Sequence, residues 1–442
     1  MKTIRSRFRA PMLMGAAASV LVFANGAMAQ NAAGNTWPYA PTRPSPLLVV
    51  VGDIACQPGE AEPGGEAAHE NCLTPKAPYT SASLWQSQEA TANQIENMKP
   101  DLVAIVGDLQ YQVGQYSDFE QSYDLTYGGF KMITRPSPGN HEFYDEHGET
   151  GVAGYGYFSY FNGFQIDATG APLTTTLMDP CPSITPPSNG GCGYPASTTP
   201  VAQPIPRPDG QAGHFEESGG IGSTIPAGSP VGVGDGWYSY NLGTWHVISL
   251  NIECETQPGG CSTTGSWLAA ELAWLENDLT ENPAACTLAY WHQPLYSAAN
   301  SITEEGVTSQ AFWNVLYQHG ADLVLNGHDH LYAHYRPLDP NGNYDANRGI
   351  SEFIVGTGGE TLDTVVTSGD TMSSPGGQMN FNAANLQAAT GYYWGVMGLT
   401  LTANGYTWNF QSALEAPVAP AGTLSTYNDT GSGTCHGRAN RI

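Results

Sequence analysis

The residues best placed for chemistry are His328 and His330, in the stretch Asp322-Leu323-Val324-Leu325-Asn326-Gly327-His328-Asp329-His330. It reads as an apolar strand that stops at a glycine and then delivers two imidazoles. Gly327 permits the backbone to break there into a loop, and the two rings could then serve two different metal ions. Two hydrogen-bonded histidines without a metal are the alternative.

Other apolar runs stop in the same way. Leu47 to Val51 runs into Gly52-Asp53, and Leu102 to Val106 into Gly107-Asp108-Leu109-Gln110-Tyr111. Pro138-Gly139-Asn140-His141-Glu142 follows, and Thr287 to Tyr290 leads into Trp291-His292-Gln293-Pro294. A single Asp at a strand end is ordinarily a helix cap or turn former. Five segments that each place an Asp, Asn or His where an apolar run stops point instead to a shared ligand site, which α/β folds build at their strand ends.

In this order the segments resemble the calcineurin-like metallophosphoesterases, and among them the purple acid phosphatase-like branch. The motifs are Gly52-Asp53-Ile54-Ala55 (with Ala for the usual glycine), Gly107-Asp108-Leu109-Gln110-Tyr111, Gly139-Asn140-His141-Glu142, Tyr290-Trp291-His292 and Gly327-His328-Asp329-His330. The resemblance implies an α/β fold with a metallophosphoesterase-type β-sandwich flanked by helices, in α/β/β/α layers, as a single catalytic domain. It implies two metal ions, Fe(III) plus a divalent Fe, Zn or Mn. Asp53, Asp108, Tyr111 and His330 would hold the first, and Asp108, Asn140, His292 and His328 the second, with Asp108 bridging. A metal-bridging hydroxide would attack phosphorus in line, without a phosphoenzyme. His141, not a ligand in the family, would steady the phosphate and protonate the leaving group, and Glu142 would orient His141 or its neighbours. From position alone Tyr111 reads as a buried aromatic packing its loop, and the resemblance makes it a ligand.

The implied reaction is hydrolysis of a phosphoric monoester. A phosphodiesterase on the same metal core is the sister reading, and a non-catalytic secreted binding protein the reading of another class. The last would predict a broken ligand set, and all seven positions are intact. Two departures concern substrate contacts. Residues Ser297-Ala298-Ala299-Asn300-Ser301 carry none of the extra histidines of the plant enzymes, and Tyr332-Ala333-His334 replaces the usual Tyr-Glu-Arg. His334 is therefore either a phosphate contact or a packing residue.

These groups need strands to carry them and helices to connect the strands. Apolar residues at helical spacing predict helices over about Ser81 to Met98 (Trp85, Ala92, Ile95 and Met98 on one face), about Ser266 to Leu279 (Leu268, Leu272, Leu275, Leu279) and about Thr308 to His319, ended by Gly320. Each precedes a strand that bears a motif. Short alternating strands are expected over Trp237 to Asn251 and Ile350 to Phe410. Residues 148–236 are rich in Gly, Pro, Ser and Thr and read as an insertion beside the site's mouth. Its Tyr155, Tyr157, Phe158, Tyr160 and Phe161 would line a pocket or pack within the insertion. The expected divisions are a signal peptide over 1–29, a linker over 30–46, a catalytic domain over 47–415 and a tail over 416–442 whose glycines make it too flexible to dock unaided.

Lys2, Arg5, Arg7 and Arg9 precede an apolar stretch from about Met12 to Phe23 and then Ala27-Met28-Ala29. That is the pattern of a secretory leader, too short for a bilayer span, and it predicts a secreted or periplasmic protein. Its removal takes four positive charges away and moves the formal net charge from −26 to −30. Such a chain repels nucleic acid and anionic membrane surfaces, which excludes both as partners. A small phosphorylated substrate would need strong local positive charge, which two metal ions supply. The eight cysteines are even in number and include no Cys-x-x-Cys, so disulfides are expected. Neighbour pairing joins Cys56 to Cys72, Cys181 to Cys192 and Cys254 to Cys261, and leaves Cys286 for Cys435.

Overall fold

The computed structural model describes residues 43–58, 81–144, 154–162, 236–255, 260–264, 266–299, 306–366, 383–413 and 426–436. The expected leader, most of the linker and insertion, and the Cys56–Cys72 and Cys181–Cys192 pairings lie outside these residues. Among the described residues no helix is long and apolar enough to cross a membrane.

Thirteen strands among the described residues form two mixed sheets. They are β1 (Leu47–Val51), β2 (Leu102–Val106), β3 (Thr134–Ser137), β4 (Tyr238–Leu242), β5 (Trp245–Ser249), β6 (Cys286–Tyr290), β7 (Leu323–Asn326), β8 (Tyr332–Tyr335), β9 (Ser351–Val355), β10 (Leu386–Thr390), β11 (Gly395–Thr402), β12 (Gly405–Ser412) and β13 (Asn428–Thr434). The first sheet runs β13-β12-β11-β1-β2-β3 and the second β10-β8-β9-β7-β6-β5-β4. Pairing is parallel from β1 through β2 to β3, and from β5 through β6 and β7 to β9.

Strand side chains alternate between faces, and that sorts the core. Leu48, Val50, Ala104 and Val106 of the first sheet share one apolar cluster with Leu288, Tyr290, Leu323 and Leu325 of the second. The intervening Val49, Val51, Val103 and Ile105 pack with Ala92 and Ile95 of the helix Ser81–Met98. On the second sheet, Ile248, Ala289, Val324 and Ile354 pack with Leu268, Leu275 and Leu279 of the helix Trp267–Glu281 and with Phe312, Trp313 and Leu316 of the helix Gly306–Gln318. All three helices fall where apolar spacing put them. Ser266 caps the second, its side chain accepting the Ala269 N–H at 3.2 Å.

Two expectations are made more exact. The aromatic run of the insertion forms a helix, Tyr155–Asn162, whose Tyr157, Phe158, Tyr160 and Phe161 are buried in the same cluster as the outer face of β1 and β2. Phe119 stacks on Tyr160 at 5.0 Å between ring centroids. Tyr157 and Phe161 pack on each other, 5.4 Å between ring centroids, and the run also completes the core, because four large apolar faces gain most where helix and sheet already exclude water.

The tail is the second, docked with its expected disulfide in place. Residues 428–434 dock as β13, antiparallel to β12. A Cβ at Gly431 would collide with the Trp408 ring, and one at Gly433 with that of Tyr406. The glycines read as flexibility are what lets two aromatic rings lie against the strand. Asp429 anchors it, accepting from the Tyr332 hydroxyl at 2.7 Å and the Trp408 indole at 3.0 Å. The expected Cys286–Cys435 bond follows directly after, and Cys254–Cys261 is likewise formed.

Candidate metal centre

The motif residues sit past the C-terminal ends of parallel strands: Asp53 after β1, Asp108 after β2, Asn140 after β3, His292 after β6 and His328 after β7. Peptide N–H and C=O groups leave the ladder there, so side chains and turns must satisfy them. The turns are tight. Asp53, Asp108 and His328 have φ of 59°, 46° and 68°, the left-handed region that L-residues avoid. Of four non-glycine residues with positive φ among the described residues, three are motif positions, the clustering expected where a site over-determines its backbone.

Neighbouring backbones approach closely. Gly107 has φ of 90°, and a Cβ there would collide with the His292 ring. Gly114 has φ of 59°, and a Cβ there would lie 2.7 Å from Cα of Glu142. That second contact sets the loop after Asp108 against the short helix Asn140–Phe143.

The seven positions converge. The Tyr111 hydroxyl lies 3.1 Å from Asp53 Oδ1, 2.9 Å from Asp108 Oδ2 and 3.0 Å from His330 Nε2. His330 Nε2 is 3.4 Å from Asp53 Oδ1. Across Asp108, His292 Nε2 lies 3.0 Å from Asp108 Oδ2, and His328 Nδ1 is 3.2 Å from both His292 Nε2 and Asn140 Oδ1. Asp53, Asp108 and His330 form one group whose donor atoms all lie within 4.8 Å of one another, and Asp108, His292 and His328 form a second. Asp108 belongs to both.

This donor set fits a pair of metal ions. Nδ1 of His292 faces the Val106 carbonyl at 2.8 Å, and Nδ1 of His330 the Thr361 carbonyl at 2.6 Å. A ring nitrogen that donates outward leaves the other as a lone pair facing the site. His292 Nε2 and His328 Nδ1 then meet at 3.2 Å, a contact that needs a proton or a cation between them. Electrostatics agree. Burial alone would raise the Asp108 pKa, but the surrounding His292, His141 and His328 outweigh it and hold the carboxylate ionised. Burial would lower His292, but Asp108 beside it pushes it up to about 10. Burial and then the His292 charge push His328 well below its ordinary value. Protons are thus shared unevenly among ligand-type atoms around one buried carboxylate, where bound cations would take their place.

His141 stands beside this cluster. Its N–H donates to Asp108 Oδ1 at 3.0 Å, its Nδ1 faces the Gln112 carbonyl at 2.6 Å, and its Nε2 is 3.9 Å from Asp108 Oδ2. Its ring lies 4.2 Å from that of Tyr111. Glu142 does not orient the His141 ring. Its carboxylate accepts the N–H groups of Leu109, Gln110 and Gly139 at 2.8, 3.1 and 2.8 Å, tying the turn after Asp108 to the turn before Asn140. Burial and then Asp108 push the Glu142 pKa up to about 8, against those N–H donors.

His334 is stacked on Phe353 at 4.3 Å and faces Asp429 at 3.4 Å, contacts that fit the packing role. Ser297 donates to Asp329 Oδ2 at 2.5 Å. Sequence reading missed Gln112, Thr361 and Asp363, whose Oδ2 accepts the His330 N–H at 2.9 Å. The first two act through backbone carbonyls, which leave no mark on residue type. Asp363 lies well past Val355, the last residue of β9, so no apolar run stops at it to mark it. A further cluster of Cys286, Asp322 and Cys435 offers no thiolates, since its cysteines are bonded to each other.

Known proteins give the same direction. No model of a protein family matches the chain. An acid phosphatase of Aspergillus ficuum is 28% identical over 158 residues, 27% of this chain and 25% of that protein. Purple acid phosphatase 15 of Arabidopsis thaliana is 27% identical over 139 residues, 30% of this chain and 24% of that protein. Among solved structures, the purple acid phosphatase PPD1 from yellow lupin (Lupinus luteus) seeds superposes with a TM-score of 0.46 at 17% identity, covering 89% of this chain and 55% of that one. The alignments span about a quarter of the length of these curated relatives. The chain is similar in sequence to acid and purple acid phosphatases, as its motifs suggested.

Proposed function

We propose that this chain is a secreted, binuclear metal-dependent phosphoric monoester hydrolase, an acid phosphatase-like metallophosphoesterase with its layers in α/β/β/α order. The observation that carries the reading is the pair of donor groups sharing Asp108, with Tyr111 added to the first and Asn140 to the second. Asp53, Asp108, Tyr111 and His330 would hold one ion and Asp108, Asn140, His292 and His328 the other, Fe(III) beside divalent Fe, Zn or Mn. The pair, when bound, supplies a water acidic enough to ionise near neutral pH and positive charge that clamps phosphate oxygens.

The chain's own residues do the rest. Val106 and Thr361 fix the His292 and His330 rings through their carbonyls. Glu142 holds the Asp108 and Asn140 turns at a constant separation. His141 keeps Nδ1 turned to Gln112, so the proton it can give sits on Nε2 and passes to the departing ester oxygen. The arrangement binds a small phosphorylated substrate against a strongly acidic surface.

Metal analysis with pH-rate profiles on one monoester and one diester tests the reading. Two ions per chain and faster turnover of the monoester are expected. Fully metal-loaded protein that hydrolyses neither ester would overturn it.

A further inference from the structure

The three ligand-type histidines are not held alike. His292 and His330 each turn Nδ1 outward to a carbonyl, that of Val106 and that of Thr361. Among the described residues His328 has no such outward partner: its Nδ1 already faces inward, to Asn140 Oδ1 and His292 Nε2 at 3.2 Å each. The direction of its ring must therefore be set by its backbone. That backbone has φ of 68° and lies among two tight turns, closed by the Asp329 N–H on the Gly327 carbonyl at 2.8 Å and the Leu331 N–H on the Asp329 carbonyl at 2.6 Å. An L-residue stays in the left-handed region only where its neighbours hold it there.

His328 is held from both sides. Its own N–H donates to the Asp53 carboxylate at 3.1 and 3.0 Å. On the other side, the Ser297 hydroxyl donates to Oδ2 of Asp329, the next residue, at 2.5 Å. Among the described residues this is the one hydrogen bond of that carboxylate, whose Oδ1 is buried without a partner. Ser297 is itself fixed. Its Oγ accepts the Ala299 N–H at 3.0 Å, and the fully buried Glu352 of β9 accepts the N–H groups of Leu295 and Tyr296 at 3.2 and 3.5 Å. The segment that follows His292 thus reaches the residue that follows His328.

We propose that Ser297 and Asp329 are positioning residues: their hydroxyl–carboxylate bond holds the left-handed turn at His328 and so keeps the His328 imidazole facing Asn140 and His292. The inference rests on the two-ion phosphatase reading and deepens it, because it assigns the bond to the second donor group alone. His330, fixed at Nδ1 by Thr361 and at its N–H by Asp363, does not depend on it.

Zinc titration of the metal-stripped full-length protein against a competing chelator tests this. The wild type should take up two ions. Ser297→Ala should weaken one binding step by about 10-fold, within the usual effect of losing a partner that orients a ligand, and leave the other unchanged. The weakened step should be the one that Asn140→Ala weakens and Tyr111→Phe does not. Asp329→Asn keeps an oxygen that accepts from the Ser297 hydroxyl, so it should retain both steps. Weakening of both steps or of neither in Ser297→Ala, or an Asp329→Asn loss as large as that of Ser297→Ala, would overturn the inference. A Ser297→Ala chain that does not fold would overturn it too, since the bond would then support the fold and not the ring. A wild type that binds fewer than two ions removes the phosphatase reading and this inference together, whereas two ions bound with unaltered steps in Ser297→Ala removes this inference alone.

Discussion

Asp108 Oδ1 accepts the backbone N–H of His141 at 3.0 Å, so the carboxylate common to both donor groups also fixes the start of the turn that carries the candidate acid. Its other oxygen, Oδ2, faces Tyr111 and His292. Asp108→Asn would keep a hydrogen-bonding side chain but lose the negative charge. We expect it to lose both metals and nearly all activity. His141→Ala should retain two metals and turn over 10²- to 10⁴-fold more slowly, the usual contribution of a general acid. Metal content of purified His141→Ala decides the point: loss of metal would make His141 a ligand.

Tyr111 joins both readings made of it, a fully buried ring and a hydroxyl within 3.1 Å of three donor atoms. A phenol with pKa about 10 gives up its proton to a strong Lewis acid, and a phenolate on ferric iron absorbs visible light. The oxidised protein should be coloured, and Tyr111→Phe should lose the colour while much hydrolysis survives. A colourless, fully active wild type loaded with zinc or manganese alone would refute the ferric assignment.

The tail is held twice, by the Cys286–Cys435 bond and by Asp429. Removing the bond in a Cys286→Ser/Cys435→Ser variant should lower stability by about 2–4 kcal/mol, read from urea unfolding. Hydrogen bonds from His334, Tyr332 and Trp408 overcome burial and keep the Asp429 pKa below its ordinary value. A depressed folded pKa gives stability that is present above the unfolded value and lost as pH falls. Protection of the β13 amides against exchange, taken relative to the intrinsic rate at each pH, should therefore fall as pH drops below about 4, and in Asp429→Asn it should be lower at neutral pH as well.

Alkaline pH should act in the opposite sense. Burial pushes Tyr406 up to about 12, so the folded protein holds the phenolic proton more tightly than the unfolded chain. The resulting stability is complete below pH 10 and disappears between 10 and about 12, an effect of roughly 2–3 kcal/mol. Tyr406→Phe should flatten that part of the pH–stability curve. A variant as steep as the wild type would show that other groups govern alkaline unfolding.

What could be read from the sequence was what is written locally. Asp53, Asp108 and His328 stood out because an apolar run must stop before its strand can present a ligand, and helical spacing located Leu268 and Leu275 as well as Ala92 and Ile95. Contacts between distant segments leave no such pattern. The family resemblance implied that Glu142 orients His141 or its neighbours; its carboxylate does hold the Gly139 N–H, and it also reaches across 33 residues to Leu109. Gly431 and Gly433 look like a mobile linker until Trp408 and Tyr406 are seen against them. Tyr157 and Phe161 sit in a Gly- and Pro-rich setting, and only their burial shows that they belong to the core.

The Cys286–Cys435 bond closes a loop with a sequence separation of 149. His292, His328 and His330 lie inside this covalent ring, and Asp53, Asp108, Tyr111 and Asn140 outside it. The candidate centre thus joins two parts of the chain that differ in topology: a closed circle contributes imidazoles, and an open strand contributes the oxygen donors. A single protease cut within the circle would leave one molecule on a non-reducing gel, with its three histidines still tethered to each other and to the rest. A cut between Asn140 and Cys286, if it falls outside the Cys254–Cys261 loop and the expected Cys181–Cys192 loop, would release the oxygen donors from the histidines, with only packing, and any metal bound between them, to keep the halves together.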